Sequence, residues 1–443
     1  MLYDHQLPDD HKATGFAVVN TLSWSRSGVI TLSPAQSRQG DKVIDENKKE
    51  VLSQRLSTGE LCFLAKDVPA LGSKLYKVIA GSSAISKKYI ADSLRAVNDL
   101  LSLALDGNTG DIKQLVQLKT GHDFVDSSSQ FKMNAYQYVT GVYNGVDSPR
   151  TVSTTKNVSV SVKEDGPVFS SFLIRSAADG CRYLTREVRV YNHMPYVELI
   201  NTIDKTGTRN KEAIHFSFPF NIPSGKTHLD IPWGIIVPEH DQLPGANRNW
   251  LTFQRWIDIS NQKHGVTWTA IESPLVEFGN LSGNILDGAR QTSLWTKKLL
   301  PSQTLISWPL NNHWDTNFPL QQEGVMTFTY GILLHDAYSP VVANRFGVEQ
   351  NRPLIIIETD KKPIENPLLS VNNPRVMISS LKQSQNNKSV IVNLRSVSDA
   401  PEQVKITHNT NSSTVTVLPY GNAAVEIGFQ RQASGAIPKS NHP

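Results

Sequence analysis

Residues 309–323 read PLNNHWDTNFPLQQE, a run dense in amides and aromatic rings. Side chains of these types suit the recognition of sugars. A pyranose has apolar C–H faces that stack on rings and hydroxyls that need paired donors and acceptors. The candidates here are Asn311, Asn312, His313, Trp314 and Asn317. A second concentration lies at 230–261, DIPWGIIVPEHDQLPGANRNWLTFQRWIDISN, where Asp241 and Gln242 are the leading polar candidates among Trp233, Trp250 and Trp256. The competing reading is structural: PWG, LPG and PLNN are also turn sequences, and tryptophans near turns often anchor a core. Glycoside hydrolysis needs two carboxyl groups, about 5–5.5 Å apart in retaining enzymes. Asp241, Asp258, Asp315 and Glu323 are the nearest carboxylates, and sequence spacing alone does not pair them. No GxSxG elbow, phosphate-binding loop or metal-ligand spacing occurs.

The elements that must hold these residues read as strands. VSVSVK at 158–163, YLTREVRVYN at 183–192, PYVELINTID at 195–204 and MTFTYGILLHD at 326–336 alternate with period two and end in Gly, Pro, Asn or Asp. Two weak helical stretches lie near 85–101 and 280–300. The expected fold is all-β: a large antiparallel β-sandwich flanked by two smaller β units. The expected domains are a linker and small β unit at 1–84, the large sandwich at 85–358, and a linker, small C-terminal sandwich and frayed tail at 359–443. The 44 basic and 40 acidic residues leave a formal charge of +4, too small and too scattered to imply nucleic acid. No apolar run is long enough to span a membrane. The polar N-terminus does not read as a signal peptide. Cys62 and Cys181 read as two buried thiols.

Several segments resemble family 38 glycoside hydrolases, the retaining α-mannosidases, in the right order. GFAVVNTLSWSRSGVITL resembles the opening of their β region, and DVPALGSKLYKV the strand that closes their first small β unit. REVRVYNHMPYVELINTIDK resembles the strand pair central to their large sandwich, which is galactose-mutarotase-like. DIPWGIIVPEHDQLPGANRNWLTFQRWIDISN and PLNNHWDTNFPLQQEG look like the bacterial branch.

The resemblance implies the C-terminal β half of such an enzyme, acting on mannose-containing glycans. In that family the zinc ligands and the nucleophile come mainly from an N-terminal catalytic domain, which would precede residue 15. It therefore implies no cofactor in this chain, zinc in the complete enzyme, and the catalytic domain as partner. It also implies that PLNNHWDTNF reaches the substrate cleft. Asn311, Asn312 and Asn317 would then bond sugar hydroxyls or brace the cleft, His313 and Trp314 would shape its wall, and Asp241 and Gln242 would add a second contribution. The alternative is a stand-alone carbohydrate-binding sandwich that stacks sugars on Trp250, Trp256 and Trp314. Localisation stays open between the periplasm and cytoplasm of a bacterium.

Overall fold

The computed structural model describes residues 15–84, 90–141, 151–282, 295–313, 319–359, 361, 363–364, 367–385 and 388–428. Among these residues the architecture is all-β, with antiparallel pairing throughout and one twelve-residue helix, Pro340–Asn351.

The largest sheet has nine strands. Lys156–Asp165, Phe169–Ala177, Cys181–Tyr191 and Tyr196–Lys205 form a meander, which continues through Gly324–His335, Gly265–Ala270, Ile257–Ser260, Lys226–Ile231 and Gly234–Ile236. Strand Tyr196–Lys205 shows the rule that builds it: every second residue, from Val197 to Lys205, is buried. Facing it is a six-stranded sheet that includes Ala135–Thr140, Glu212–Pro219, Thr304–Asn311 and Leu275–Phe278. Phe172, Val188, Leu199, Phe216, Phe218, Trp268 and Tyr330 fill the space between them. A smaller five-stranded sheet, including Leu101–Leu105 and Ile112–Gln117, contributes Leu103 and Leu115 to the same core.

The first β unit has its own core of Val18, Ile30, Phe63, Tyr76 and neighbours. Its outer ladder is closed by Ile355–Glu358, which pairs along Phe16–Val19. Residues beyond 367 form two three-stranded sheets around Leu369, Val392, Leu394, Ile406 and Val425.

The stretch 85–101, expected as weakly helical, is not a helix where it is described: it carries strands Ile90–Ala91 and Arg95–Val97. Two side chains explain the difference. Asp92 Oδ1 accepts from the amides of Leu94 and Arg95, and Asn98 Oδ1 from those of Leu100 and Leu101. These local turns capture the amides that a helix would need. Most of 280–300 lies outside the described residues. The helix that does form starts at Ser339, whose hydroxyl caps the Val342 amide, followed by Pro340 at the first helical position. It packs closely on the sandwich: a Cβ at Gly347 would lie 2.6 Å from Trp256 Cδ1. Cys62 and Cys181 are both free thiols. Burial pushes the Cys62 thiol up to about 12.

Candidate functional site

At one open end of the sandwich, two charged side chains are buried at strand ends. Lys205 ends the strand Tyr196–Lys205, and Glu212 begins the strand Glu212–Pro219. They are 3% and 5% exposed, so each charge needs a partner. Lys205 Nζ meets Glu212 Oε1 at 2.5 Å, and the Tyr138 hydroxyl donates to Glu212 Oε2 at 2.5 Å. Burial, and next the hydrogen bond to the Glu212 carboxylate, hold the Tyr138 hydroxyl well above its ordinary range.

The strand Thr304–Asn311 runs alongside, with Ala213 opposite Asn311 and Ile214 opposite Leu310. A cavity of about 430 Å³ opens here, between Lys205 and Glu212 on one side and Asn311, Asn312, Leu320, Gln321 and Gln322 on the other. Asn312 ties this mouth together. Its Oδ1 accepts from the Glu212 amide at 2.6 Å, and its Nδ2 donates to the carbonyls of Asn210 at 2.7 Å and Leu320 at 2.9 Å. Both amide protons are thus used within the chain, and Asn312 is a brace. Asn311 lines the cavity, and its Oδ1 is buried without a hydrogen-bond partner. Gln321 and Gln322 are exposed at the rim.

His313 points elsewhere. Its ring is buried and Nε2 has no hydrogen-bond partner, while its carbonyl accepts from Lys211 Nζ at 2.9 Å. Burial, then the neighbouring His215 and Lys211, lower its pKa to about 4, so the ring is neutral near pH 7. Close by, on the outer face of the six-stranded sheet, His215 lies 2.9 Å from the buried Glu277 carboxylate and stacks on Trp308. Trp314 and Asn317 lie outside the described residues, as does Asp315.

Asp241 and Gln242 are not brought to this cavity. Asp241 accepts from the Val237 amide at 2.7 Å and contacts His240 Nδ1 at 2.6 Å, and it lines a different cavity with Lys226, Tyr338 and Tyr420. Gln242 accepts from the Glu239 amide, which makes it part of the loop's own structure. Asp258 is fully buried and satisfied by Ser260, Thr267 and His335, so it is a core carboxylate. Glu323 is exposed, 3.9 Å from Arg182. Trp256 is fully buried, which removes it from any stacking surface, and the half-buried Trp250 packs edge-on against Trp308. Lys205, Glu212, Tyr138, Gln321 and Gln322 were not singled out from sequence. The available signal was a charged residue at the end of an alternating strand, for Lys205, and at the start of a strand buried on both faces, for Glu212.

Comparison with known proteins agrees with this architecture. Residues 96–269 match the model of the glycosyl hydrolases family 38 C-terminal domain. That stretch supplies Lys205, Glu212 and Tyr138. An alpha-mannosidase from Enterococcus faecalis V583 superposes with a TM-score of 0.69 at 15% identity, over 96% of this chain and 56% of that one. A second glycosyl hydrolase family 38 protein from Enterococcus faecalis gives a TM-score of 0.69 at 14% identity, over 96% and 58%. The chain therefore spans a little over half the length of these structures. No curated protein sequence matches it. Among the described residues, no group of three or more His, Cys, Asp or Glu side chains could hold a metal ion.

Proposed function

We propose that this chain is the β portion of a retaining, zinc-dependent α-mannosidase acting on mannose-containing glycans. In this reading the catalytic domain supplies the metal, the nucleophile and the acid. The β portion packs against it and contributes the edge of the substrate cleft. The observation that carries the reading is the cavity between Lys205–Glu212 and Asn311–Gln322, set in a fold shared along 96% of the chain with an alpha-mannosidase structure.

The chemistry of the mouth suits a sugar. The Gln321 and Gln322 amides at the rim offer both donors and acceptors to hydroxyls. Asn312 supports these groups by fixing the loop to the Glu212 strand. Asn317 and Trp314 belong to the same proposed edge. Asp241 and Gln242 would contribute only where the catalytic domain bridges the two cavities.

The test is hydrolysis of an aryl α-mannoside by the chain alone and by the chain joined behind a family 38 catalytic domain. Turnover is expected only in the joined protein. There, Asn312→Ala should lower kcat/KM roughly ten-fold through the lost brace. Turnover by the chain alone, abolished by substitution of one of its own carboxylates, would overturn the reading.

A further inference from the structure

The second cavity encloses about 490 Å³ where the large sandwich, the start of the helix and the C-terminal sheets meet. That is ample for a small ligand. Four charged side chains line it: Lys226 and Arg375 are cationic, Asp241 and Asp399 anionic; Arg375 is already paired with Glu402 at 3.2 Å and Asp241 with His240 at 2.6 Å, so Lys226 and Asp399 keep the balance among the remaining charges. The balance selects the ligand. An anion would gain from Lys226 and be repelled by Asp399, and a cation the reverse. A polyhydroxyl compound avoids the conflict, because each hydroxyl donates to a carboxylate and accepts from an ammonium or guanidinium group.

Two aromatic residues add hydroxyls and apolar surface. Tyr338 stacks on the His228 ring at 3.8 Å, which fixes its orientation. Tyr420 sits at φ 49, a left-handed backbone position that a bulky side chain rarely takes. The turn Leu418–Gly421, closed by the Gly421 amide on the Leu418 carbonyl at 2.9 Å with Pro419 at its second position, accounts for this backbone, and Tyr420 lines the cavity. Asp399 and Asp241 lie close enough to the Tyr420 hydroxyl to raise it, after the larger effect of burial.

We propose that this cavity is a saccharide-binding site for a neutral mono- or disaccharide unit, held by Lys226, Asp241, Asp399 and Tyr420 against the Tyr338 ring. It is separate from the Asn312 cavity and does not depend on the proposed mannosidase reading.

The test is a titration of the methyl-labelled chain with methyl α-mannopyranoside, with inorganic phosphate as the anionic and choline as the cationic probe, read by NMR. The site's reporters are Ile235, Val397 and Ala400. Leu310 and Leu320 report the other cavity and are scored separately. Saturable shifts at Ile235, Val397 and Ala400 with the glycoside alone are expected. Asp399→Asn and Tyr420→Phe, which keep the charge-free shape of the wall, should each weaken this binding roughly ten-fold. The proposal is overturned by no saturable shift at these three methyls, by shifts that survive both substitutions unchanged, or by a preference for either ion.

Discussion

His313 shows how one residue in a polar, aromatic stretch divides into separate roles. Its carbonyl fixes Lys211, while its ring is buried and neutral. The folded pKa of about 4 lies below the ordinary 6.5. Between these values the unfolded chain binds a proton that the folded chain does not. The contribution to stability is complete above pH 6.5 and is lost as pH falls toward 4, at most about 3 kcal/mol. Asp230 acts in the opposite sense: burial raises its carboxyl to about 6, against the pull of Arg255 and Arg395. Its contribution is therefore complete below 3.8 and lost as pH rises toward 6. Wild type and His313→Gln share the Asp230 effect, so their difference isolates the histidine. Urea unfolding midpoints should show the stability advantage of wild type over His313→Gln shrinking as pH falls from 7 to 4. A constant advantage would mean that the ring titrates normally. Among the sugar-site candidates, Asn311 and Asn312 were legible as a pair because amides beside aromatics are unusual in a strand end. Lys205 and Glu212 were not, since each looks like an ordinary surface charge until the fold buries it.

At the scale of elements, the buried Arg186 shows how strands hold a neighbouring loop. Its guanidinium, fully buried, reaches from the strand Cys181–Tyr191 to Asp111 Oδ1 at 2.6 Å, the Asn134 carbonyl at 2.7 Å and the Thr109 carbonyl at 2.5 Å. Gly110 lets this loop approach: at φ +71, a Cβ there would lie 2.4 Å from Ile174 Cγ2. Arg186→Met leaves the Asp111 carboxylate and two carbonyls without their donor. It should cost roughly 3–5 kcal/mol in chemical denaturation, and pairing it with Asp111→Leu should restore part of the loss. The strands themselves were readable from alternation, because a half-buried sheet imposes period two on its residue types. The region near 85–101 was misread because short turns by Asp92 and Asn98 decide it, and these leave no periodic trace. The helix Pro340–Asn351 escaped for a related reason. Its contacts with Trp256 and Tyr196 come from other parts of the chain, and its own sequence carries only a cap and a proline.

At the scale of the whole molecule, the chain closes on itself across more than 300 positions. The Trp24 indole donates to Glu349 at 2.6 Å, Arg26 donates to the Arg352 carbonyl at 2.6 Å, and Ile355–Glu358 completes the first sheet. Burial holds the Glu349 carboxyl above its usual range, and the Trp24 bond works against that shift. Trp24→Phe should cost roughly 1–3 kcal/mol by leaving Glu349 without this donor. Hydrogen exchange should speed up first in Phe16–Val19 and Ile355–Glu358. Uniform protection would show that the closure adds nothing. The all-β class was legible from the chain's texture, and the order of family-like segments pointed to the same architecture. The separation of the two polar stretches into two cavities was not legible, because it depends on which strands become neighbours. The mouth formed by Asn311, Asn312, Gln321 and Gln322 is proposed as the edge of a mannoside cleft. The most direct measurement is kcat/KM for an aryl α-mannoside in the chain joined to a family 38 catalytic domain, comparing wild type with Gln321→Ala/Gln322→Ala. These exposed rim amides can be removed without disturbing the core, so the melting temperature should stay constant. The account predicts a fall of roughly ten-fold in kcat/KM; unchanged kinetics in the double variant would contradict it.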